Sequence, residues 1–378
     1  MKRLIIIGSG IGGTIVANSL AKKILSSNAK VSLKIQLFGL SESHIYQPGL
    51  LYLPFGRYHE EDICRNQRDL LHESIDFILD EVIEINGCEN SITTKSGKVF
   101  DYDYLVISTG STIDVHSIKG MADGADWFYD LEGAKTLRNK LTEFSGGKIV
   151  VNVNVPYKCP VGPIEFTLLL YDFLKQKNLT EKTEILYTFP IGRLHGLQPV
   201  AEWVEPEFEK RKIKTELFFN TKEIDTDKKI IYSEEGEAID YDMLVTIPPH
   251  TGSSLIEHSG FGLGGWVETD KYSLLKIGSE NIFCIGDTTN LPISKAGSTT
   301  HYQADAIVKN LLRLSQNKCI ENNYDGKVFC FIEAGDGKST YISFDYENPP
   351  IPVTASKLIH LYKIVYNKLY WMAARGIL

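Results

Sequence analysis

The sequence predicts an α/β protein with two related parallel-sheet domains and an amphipathic helical segment at its C-terminal end. Three observations indicate this class. A short apolar run at residues 4–7 leads into a glycine-rich turn and then a helical pattern. The hexapeptide Asp-Tyr-Asp-Tyr-Leu-Val at 101–106 recurs at 240–245 with one change. Residues 348–378 contain no acidic side chain and mix lysine with aromatic and aliphatic residues.

Size and composition narrow the class of protein further. A chain of 378 residues is long enough for two or three domains with a sizeable core. Its net charge of -8 argues against a general nucleic-acid binder. No apolar run is long enough to span a bilayer, and the N-terminal run is too short for a signal peptide, so we expect neither. The six cysteines are scattered without a C-x-x-C pair, so we predict no disulfide scaffold and no metal site.

The N-terminal turn has the spacing of a dinucleotide-binding loop. Gly8, Gly10 and Gly13 fit G-x-G-x-x-G between a predicted strand and a predicted helix. Gly8 permits the tight turn, Gly10 lets a pyrophosphate approach the backbone, and Gly13 lets the helix lie close to the strand. The helix N-terminus then faces the phosphates. We therefore predict a Rossmann-like domain that binds a dinucleotide.

The next segments continue this first domain. A second strand is predicted at 31–38, and it ends without the usual acidic residue, so Glu42 or a backbone group is left to contact the ribose. Residues 77–79, 81–85, 91–94 and 98–100 are predicted to form an antiparallel meander. A parallel strand at 104–107 follows and ends at Ser108-Thr109-Gly110. Ligands of open α/β sheets bind at such carboxyl ends.

The repeated hexapeptide predicts a second Rossmann-like domain. Its first strand, at 147–154, does not lead into a glycine loop. Residues 155–165 contain three prolines and Cys159 instead, so a pyrophosphate cannot approach closely and a nicotinamide cofactor is not expected here.

The chain is then predicted to return to the first domain. A strand at 281–287 delivers Asp287, whose carboxylate suits a ribityl hydroxyl. Lys295 precedes a helix predicted from about Thr300, whose N-terminus suits the electron-rich edge of a flavin. The predicted domains are 1–112 with 246–315, then 113–245 with Cys159, and finally 316–378 with Cys330.

Three stretches resemble landmarks of the flavoproteins that contain two dinucleotide-binding domains: residues 8–13, 108–110 and 285–287. Residues 157–165 resemble the proline-rich cysteine loop of sulfide:quinone oxidoreductases and flavocytochrome c sulfide dehydrogenases. Residues 330–336 are similar to their second redox-cysteine segment. The resemblance implies FAD as cofactor, with sulfide and a membrane quinone as reaction partners. The chain departs from it at 125–131, where many members carry a third cysteine and this sequence has none.

The resemblance also implies roles for individual residues. Cys159 and Cys330 form the redox pair beside the flavin, with Cys159 as the persulfide carrier and Cys330 as the thiol that reacts with the flavin, although their order is open. Lys295 stabilises reduced flavin. Glu165 and His195 are candidates for proton transfer, and for each a capping or surface position is an equal alternative.

The C-terminal segment is predicted to be an interfacial helix on anionic lipid, with a core or dimer helix as the alternative. Its basic residues are Lys357, Lys363, Lys368 and Arg375. Phe344 or Tyr366 is expected to pack on the quinone ring. These features imply a peripheral protein on the cytoplasmic face of the cell membrane. A homo-oligomer is compatible with the sequence.

The resulting functional hypothesis is a sulfide:quinone oxidoreductase. The alternatives are an NADH:quinone oxidoreductase, a sulfide dehydrogenase with a cytochrome acceptor, and a non-enzymatic flavin-binding module. The missing second glycine loop argues against the first alternative, and the basic C-terminal helix argues against the second.

Overall fold

The first part of the chain forms most of one parallel sheet and its helices. The computed structural model describes residues 1–26, 32–322 and 324–377. Up to the first crossover its elements are β1 (Lys2–Ile7), α1 (Ile11–Ser26), β2 (Leu33–Gly39), β3 (Ser43–Ile45), α2 (Glu60–Ile63), β4 (Cys64–Asn66), α3 (Gln67–Leu70), β5 (Ile75–Leu79), β6 (Val82–Asn86), β7 (Ser91–Thr94), β8 (Val99–Asp101), β9 (Tyr104–Ile107) and β10 (Thr112–Ile113).

The middle of the chain forms a second parallel sheet. Its elements are α4 (Met121–Gly124), α5 (Leu131–Glu143), β11 (Gly147–Val153), α6 (Gly162–Gln176), β12 (Thr183–Phe189), α7 (Gln198–Lys210), β13 (Lys214–Leu217), β14 (Thr221–Asp225), β15 (Ile230–Ser233), β16 (Ala238–Asp240) and β17 (Met243–Ile247).

The last part completes the first sheet and adds a hairpin and a long helix. Its elements are β18 (His250–Thr251), α8 (Ser254–His258), β19 (Ile282–Cys284), α9 (Gly297–Ser315), β20 (Val328–Gly335), β21 (Lys338–Phe344) and α10 (Lys357–Ala374). Short 3-10 segments lie at Gln47–Leu51, Thr180–Lys182 and Gly286–Thr288.

Both large sheets are parallel and buried. Their strand orders are β19-β9-β1-β2-β5 and β13-β12-β11-β17. Strands β1, β9, β11 and β17 are apolar along most of their length because side chains on both faces are covered. The two connections between the sheets lie side by side, where β10 pairs with β18.

The sequence repeat is also a structural repeat. In each half a three-stranded antiparallel meander, β6-β7-β8 or β14-β15-β16, precedes a parallel strand that lies beside the first strand of its sheet. The repeated hexapeptide runs from the last meander strand into that parallel strand in both copies. The N-terminal strand, turn and helix, and the α/β class, agree with the prediction.

One detail of the prediction is wrong. Residues 77–79 do not belong to the meander, because Phe77 pairs in parallel with Leu37 and extends the main sheet as β5. An alternating pattern identifies a strand but not its partner. The helix predicted from Thr300 begins three residues earlier, at Gly297. Val31, the expected start of the second strand, lies outside the described residues, and that strand is described from Leu33.

The C-terminal elements lie against both halves of the molecule. Strand β20 packs on α6 of the second half and on α9 of the first. Helix α10 packs on β21 and on α1. Within the described residues, no helix combines the length and apolar character needed to cross a membrane.

Candidate active site

The glycine turn between β1 and α1 leaves room for a phosphate. Gly8 has a φ of 103°, and a Cβ there would lie 2.2 Å from the Ser108 carbonyl oxygen. A Cβ on Gly13 would lie 2.0 Å from the Gly8 carbonyl oxygen, so the helix touches the strand. A Cβ on Gly10, by contrast, would meet no atom within 4 Å. The first turn of α1 has no acidic residue. The turn therefore fits a pyrophosphate at a helix N-terminus.

The other two predicted landmarks lie beside this turn. Thr109 and Thr288 are hydrogen-bonded through their hydroxyl groups. The Asp287 Oδ2 atom accepts a hydrogen bond from Ser111 Oγ at 3.3 Å. Gly110 has a φ of 70°, which turns the chain just after β9. The structure thus brings the carboxyl ends of β1, β9 and β19 together at the edge where ligands bind in such sheets.

Two lysines approach Asp287. Lys158 Nζ lies 3.9 Å from Asp287 Oδ2. Lys295 Nζ donates to the carbonyl oxygens of Asp287 at 2.9 Å and Thr289 at 2.5 Å. It also lies 4.0 Å from the centre of the Trp266 ring. Burial lowers the pKa of Lys295 to about 8, and the charge of Asp287 opposes this shift. A buried ammonium that releases its proton more readily than an ordinary lysine therefore lies at the edge of the site.

Cys159 and Cys330 meet at the start of α9. Cys159 adopts a φ of 55°, and its N–H donates to the Lys295 carbonyl oxygen at 2.8 Å. The Cys159 carbonyl oxygen accepts from the Gly162 N–H at 2.8 Å, which leads the loop into α6. From β20, Cys330 Sγ lies 3.8 Å from Ser298 Oγ. Because Lys295 and Ser298 flank the first residue of α9, the two cysteines converge from different halves of the chain.

Both cysteines are free thiols whose ionisation is unfavourable. Burial raises the pKa of the Cys159 thiol, and negative charge on Glu165 and Cys330 raises it further. Burial also raises the pKa of Cys330 to about 11, although the hydrogen bond from Ser298 opposes this. Free thiols of this kind are weak nucleophiles. The pair is better suited to react as a disulfide that an external thiolate attacks.

A buried charge cluster lies next to the cysteines. Glu165, in the first turn of α6, accepts the Glu333 N–H at 2.8 Å and a short hydrogen bond from the Lys363 ammonium. Lys363 Nζ is 3.4 Å from Glu333 Oε1. Tyr52 donates its hydroxyl to Glu333 Oε1 at 2.8 Å, and His360 Nδ1 lies 3.2 Å from Glu333 Oε2. The Lys363 ammonium thus forms ion pairs with both Glu165 and Glu333.

The two carboxyl groups differ in their affinity for a proton. Burial raises the pKa of Glu165, and the charge of Glu333 adds to this although Lys363 opposes it. For Glu333, the effect of burial is outweighed by Lys363, His360 and Tyr52, so its pKa lies below the usual range. Burial alone would lower the pKa of Lys363, but the two carboxylates raise it well above its ordinary value. Glu165 is therefore the group that takes up a proton first.

His195 has both ring nitrogens on backbone groups. Its Nε2–H donates to the Pro160 carbonyl oxygen at 3.0 Å, and its Nδ1 accepts from the Leu197 N–H at 2.9 Å. Burial lowers the pKa of His195 to about 4, so the ring is neutral near pH 7. The hydrogen bond to Pro160 connects His195 to the loop that follows Cys159.

Helix α10 turns its polar inner face to the body of the protein. The sequence analysis placed Lys363 among the basic residues of the lipid-facing helix, and this assignment is wrong. Lys363 is buried in the charge cluster. The Tyr370 hydroxyl is 2.7 Å from His44 Nε2, and its ring centre is 4.4 Å from that of Tyr46. These partners come from distant parts of the chain, so the local pattern did not reveal them.

The outer face of α10 is apolar and exposed. Leu358 is 58% exposed and Leu361 is 54% exposed. Tyr366 is 43% exposed, and its ring centre lies 5.6 Å from that of Phe331, next to Cys330 in sequence. Phe344 is only 9% exposed and belongs to the core. Further exposed apolar residues on this helix are Tyr362, Ile364, Val365 and Met372.

The charge cluster contains residues that the sequence analysis did not single out, namely Glu333, His360 and Tyr52. Glu333 offered one signal, because it is the acidic residue within the apolar strand that carries Cys330. A charged residue in a buried strand needs a partner. Nothing in the sequence identified Lys363 of α10 as that partner.

The family model for pyridine nucleotide-disulphide oxidoreductases matches residues 2–306. A curated relative, the mitochondrial sulfide:quinone oxidoreductase of Mus musculus, is 26% identical over 99% of this chain and 86% of its own length. The X-ray structure of the sulfide:quinone oxidoreductase from Aquifex aeolicus superposes with a TM-score of 0.88 at 24% identity, over all of this chain and 92% of that one. NDH2 of Plasmodium falciparum, solved with NADH, has a TM-score of 0.71 at 14% identity, covering 99% and 97%. The chain belongs to the pyridine nucleotide-disulphide oxidoreductase family.

Proposed function

We propose that this protein is a sulfide:quinone oxidoreductase that uses FAD. The observation that carries the proposal is the convergence of Cys159 and Cys330 at the start of α9, beside the dinucleotide turn. The near-full-length similarity to sulfide:quinone oxidoreductases supports it.

The cofactor would be held by the residues predicted from the sequence. Gly8, Gly10 and Gly13 would surround the pyrophosphate, with Thr109 and Gly110 next to it. Asp287 would accept a hydrogen bond from a ribityl hydroxyl, and Lys295 would supply positive charge. When bound, FAD takes two electrons from the cysteine pair and passes them to the acceptor.

Sulfide oxidation would use the cysteines as a disulfide. Hydrosulfide attacks Cys159 Sγ, a sulfur–sulfur bond forms to give the Cys159 persulfide, and the bond to Cys330 breaks to leave its thiolate. A second nucleophile then removes the outer sulfur from Cys159. The cysteine pair has then gained two electrons and is a dithiol, and bound FAD would supply the oxidation that restores the disulfide.

Glu165 would handle the accompanying proton. It lies beside Cys159, Cys330 and Lys363, and burial raises its pKa, so it holds a proton more readily than an ordinary carboxyl group. His195 would act as a positioning residue for the Cys159 loop. Tyr366 is the preferred residue to pack on the quinone ring, because Phe344 would have to leave the core to do so.

The function is tested by anaerobic bleaching of the visible flavin spectrum. We expect sulfide to bleach the purified holoenzyme rapidly and NADH to bleach it slowly or not at all. The physical reason is that a pyrophosphate would meet Cys159 and the buried acid Glu165 at the first turn of α6, where a glycine loop is needed. Fast bleaching by NADH together with inertness to sulfide would favour the NADH:quinone alternative.

Replacing Gly10 with valine should give folded but colourless protein. A Cβ placed at Gly10 has no protein atom within 4 Å, so the protein itself leaves space for the valine side chain. It would instead fill the volume that the pyrophosphate needs. Flavin content per chain and the thermal midpoint measure the two effects. The control is Gly13→Val, which collides with the Gly8 carbonyl and should reduce stability itself. Normal FAD content in Gly10→Val would contradict the assignment.

We propose that the outer face of α10 lies on an anionic lipid surface, with Lys357, Lys368 and Arg375 exposed on the same helix or just after it. Burying one leucine stabilises binding by about 1.5–3 kcal/mol. The double change Leu358→Glu and Leu361→Glu should therefore weaken co-sedimentation with anionic vesicles about tenfold or more. It should leave sulfide-driven bleaching unchanged, since both side chains are exposed on the outer face of the helix.

The matched control for this experiment is Leu263→Glu, at a leucine that is 83% exposed elsewhere on the surface. Truncation before α10 is not suitable, because it would remove Lys363 from two buried carboxyl groups. If the double variant sediments with vesicles like the Leu263→Glu protein, another surface holds the protein on lipid.

A further inference from the structure

The hairpin that carries Cys330 is attached to α6 at two points. Glu165 Oε1 accepts the Glu333 N–H at 2.8 Å, and Asp172 Oδ2 accepts the Asp336 N–H at 2.8 Å. Glu165 and Asp172 lie seven positions apart on α6, about 10 Å along its axis. Glu333 lies within β20, and Asp336 lies in the turn that follows it. The two attachments therefore hold both the strand and the turn of the hairpin against one helix.

A buried arginine holds the turn of the same hairpin. Arg211 Nη2 donates to the Ala334 carbonyl oxygen at 2.9 Å and to Asp336 Oδ2 at 3.0 Å. Its Nη1 donates to the Glu207 carbonyl oxygen at 3.0 Å, which ties the turn to α7. At Gly335 the φ is 74°, and a Cβ would lie 2.8 Å from Arg211 Nη2. The guanidinium thus occupies the space that a side chain at this position would take.

Stability alone does not account for these buried groups. Among the described residues, neither Asp172 Oδ1 nor Arg211 Nε has a hydrogen-bond partner, although both atoms are buried. Buried charges with unsatisfied atoms contribute little net stability, but they impose a defined geometry.

We propose that Asp172 and Arg211 are positioning residues that hold the β20 hairpin on α6 and so keep the Cys330 thiol beside Cys159. This inference rests on the proposed function, in which the two cysteines form a redox pair. It assigns a catalytic consequence to two side chains that touch neither thiol.

The test starts from holoenzyme that has been reduced and desalted without oxygen. It measures the rate at which diamide, by taking up two electrons and two protons, forms the Cys159–Cys330 disulfide. Mass spectrometry of unreduced peptides measures it. Asp172→Ala and Arg211→Ala should slow this bond about tenfold or more, with FAD content unchanged. Asp172→Asn retains an acceptor oxygen and should form the disulfide at the rate of the unaltered protein. Arg211→Lys cannot make both contacts, so it should form the disulfide more slowly.

The control is Lys175→Ala, which removes an exposed ion pair with Asp336 and should leave the rate unchanged. Equal disulfide rates in Asp172→Ala and the Lys175→Ala control would overturn the proposal. If the unaltered protein forms no such disulfide, the proposed redox pair fails. Hydrogen exchange then measures whether Asp172 holds the hairpin on α6. Unchanged protection of the Glu333 and Asp336 amides in Asp172→Ala would overturn the proposed attachment.

Discussion

Replacing Cys330 with serine is expected to lower sulfide-dependent quinone reduction by about a thousandfold or more while FAD stays bound. Serine is similar in size but cannot form the disulfide that hydrosulfide attacks. Cys159→Ser should have the same effect, because the two sulfurs act as one unit and either loss removes the reaction. Steady-state quinone reduction and the visible flavin spectrum measure the two quantities.

The control for the cysteine variants is Cys319→Ser, at an exposed thiol away from the site. It should retain activity. Near-normal turnover in Cys330→Ser would exclude the two-cysteine mechanism, and it would favour direct transfer from sulfide to the cofactor.

Replacing Lys363 with methionine is expected to destabilise the protein by about 3–5 kcal/mol near neutral pH. The change leaves Glu165 and Glu333 buried without their shared ammonium. It should also slow turnover, because Glu165 would then keep its proton. Thermal unfolding and quinone reduction measure the two effects, with Lys368→Met on the exposed side of the same helix as the control.

The loss in Lys363→Met should depend on pH in a defined direction. Without the ammonium, the folded-state pKa of both carboxyl groups lies above the unfolded value. The loss of folding stability in the variant is therefore present at pH values above both pKa values, and it disappears as the pH falls through them. In the unaltered protein Lys363 keeps the pKa of Glu333 low, so its contribution to stability persists in this window. The difference in stability between the two proteins should therefore shrink from about pH 8 to about pH 5. A difference that grows on acidification would contradict the charge cluster described here.

Patterns in the sequence were sufficient to predict those structural features that depend on residues close together in the chain. The spacing of Gly8, Gly10 and Gly13 predicted the strand, turn and helix that the structure contains. The repeated hexapeptide predicted two related halves, and the strand before Asp287 was predicted at the same sheet edge. Backbone conformation and helix dipoles follow from residues within one turn, so these features are visible without a fold.

The sequence by itself determined the α/β class, the dinucleotide turn and the cysteines worth testing. Only the tertiary structure decided that Lys363 belongs between Glu165 and Glu333 rather than at a lipid surface, and that Tyr370 contacts His44. It likewise showed that residues 77–79 extend the main sheet. The physical reason is the same in each case. A buried charge, a ring or a strand edge is satisfied by partners far away in the chain, and neither spacing nor periodicity records which partner is reached.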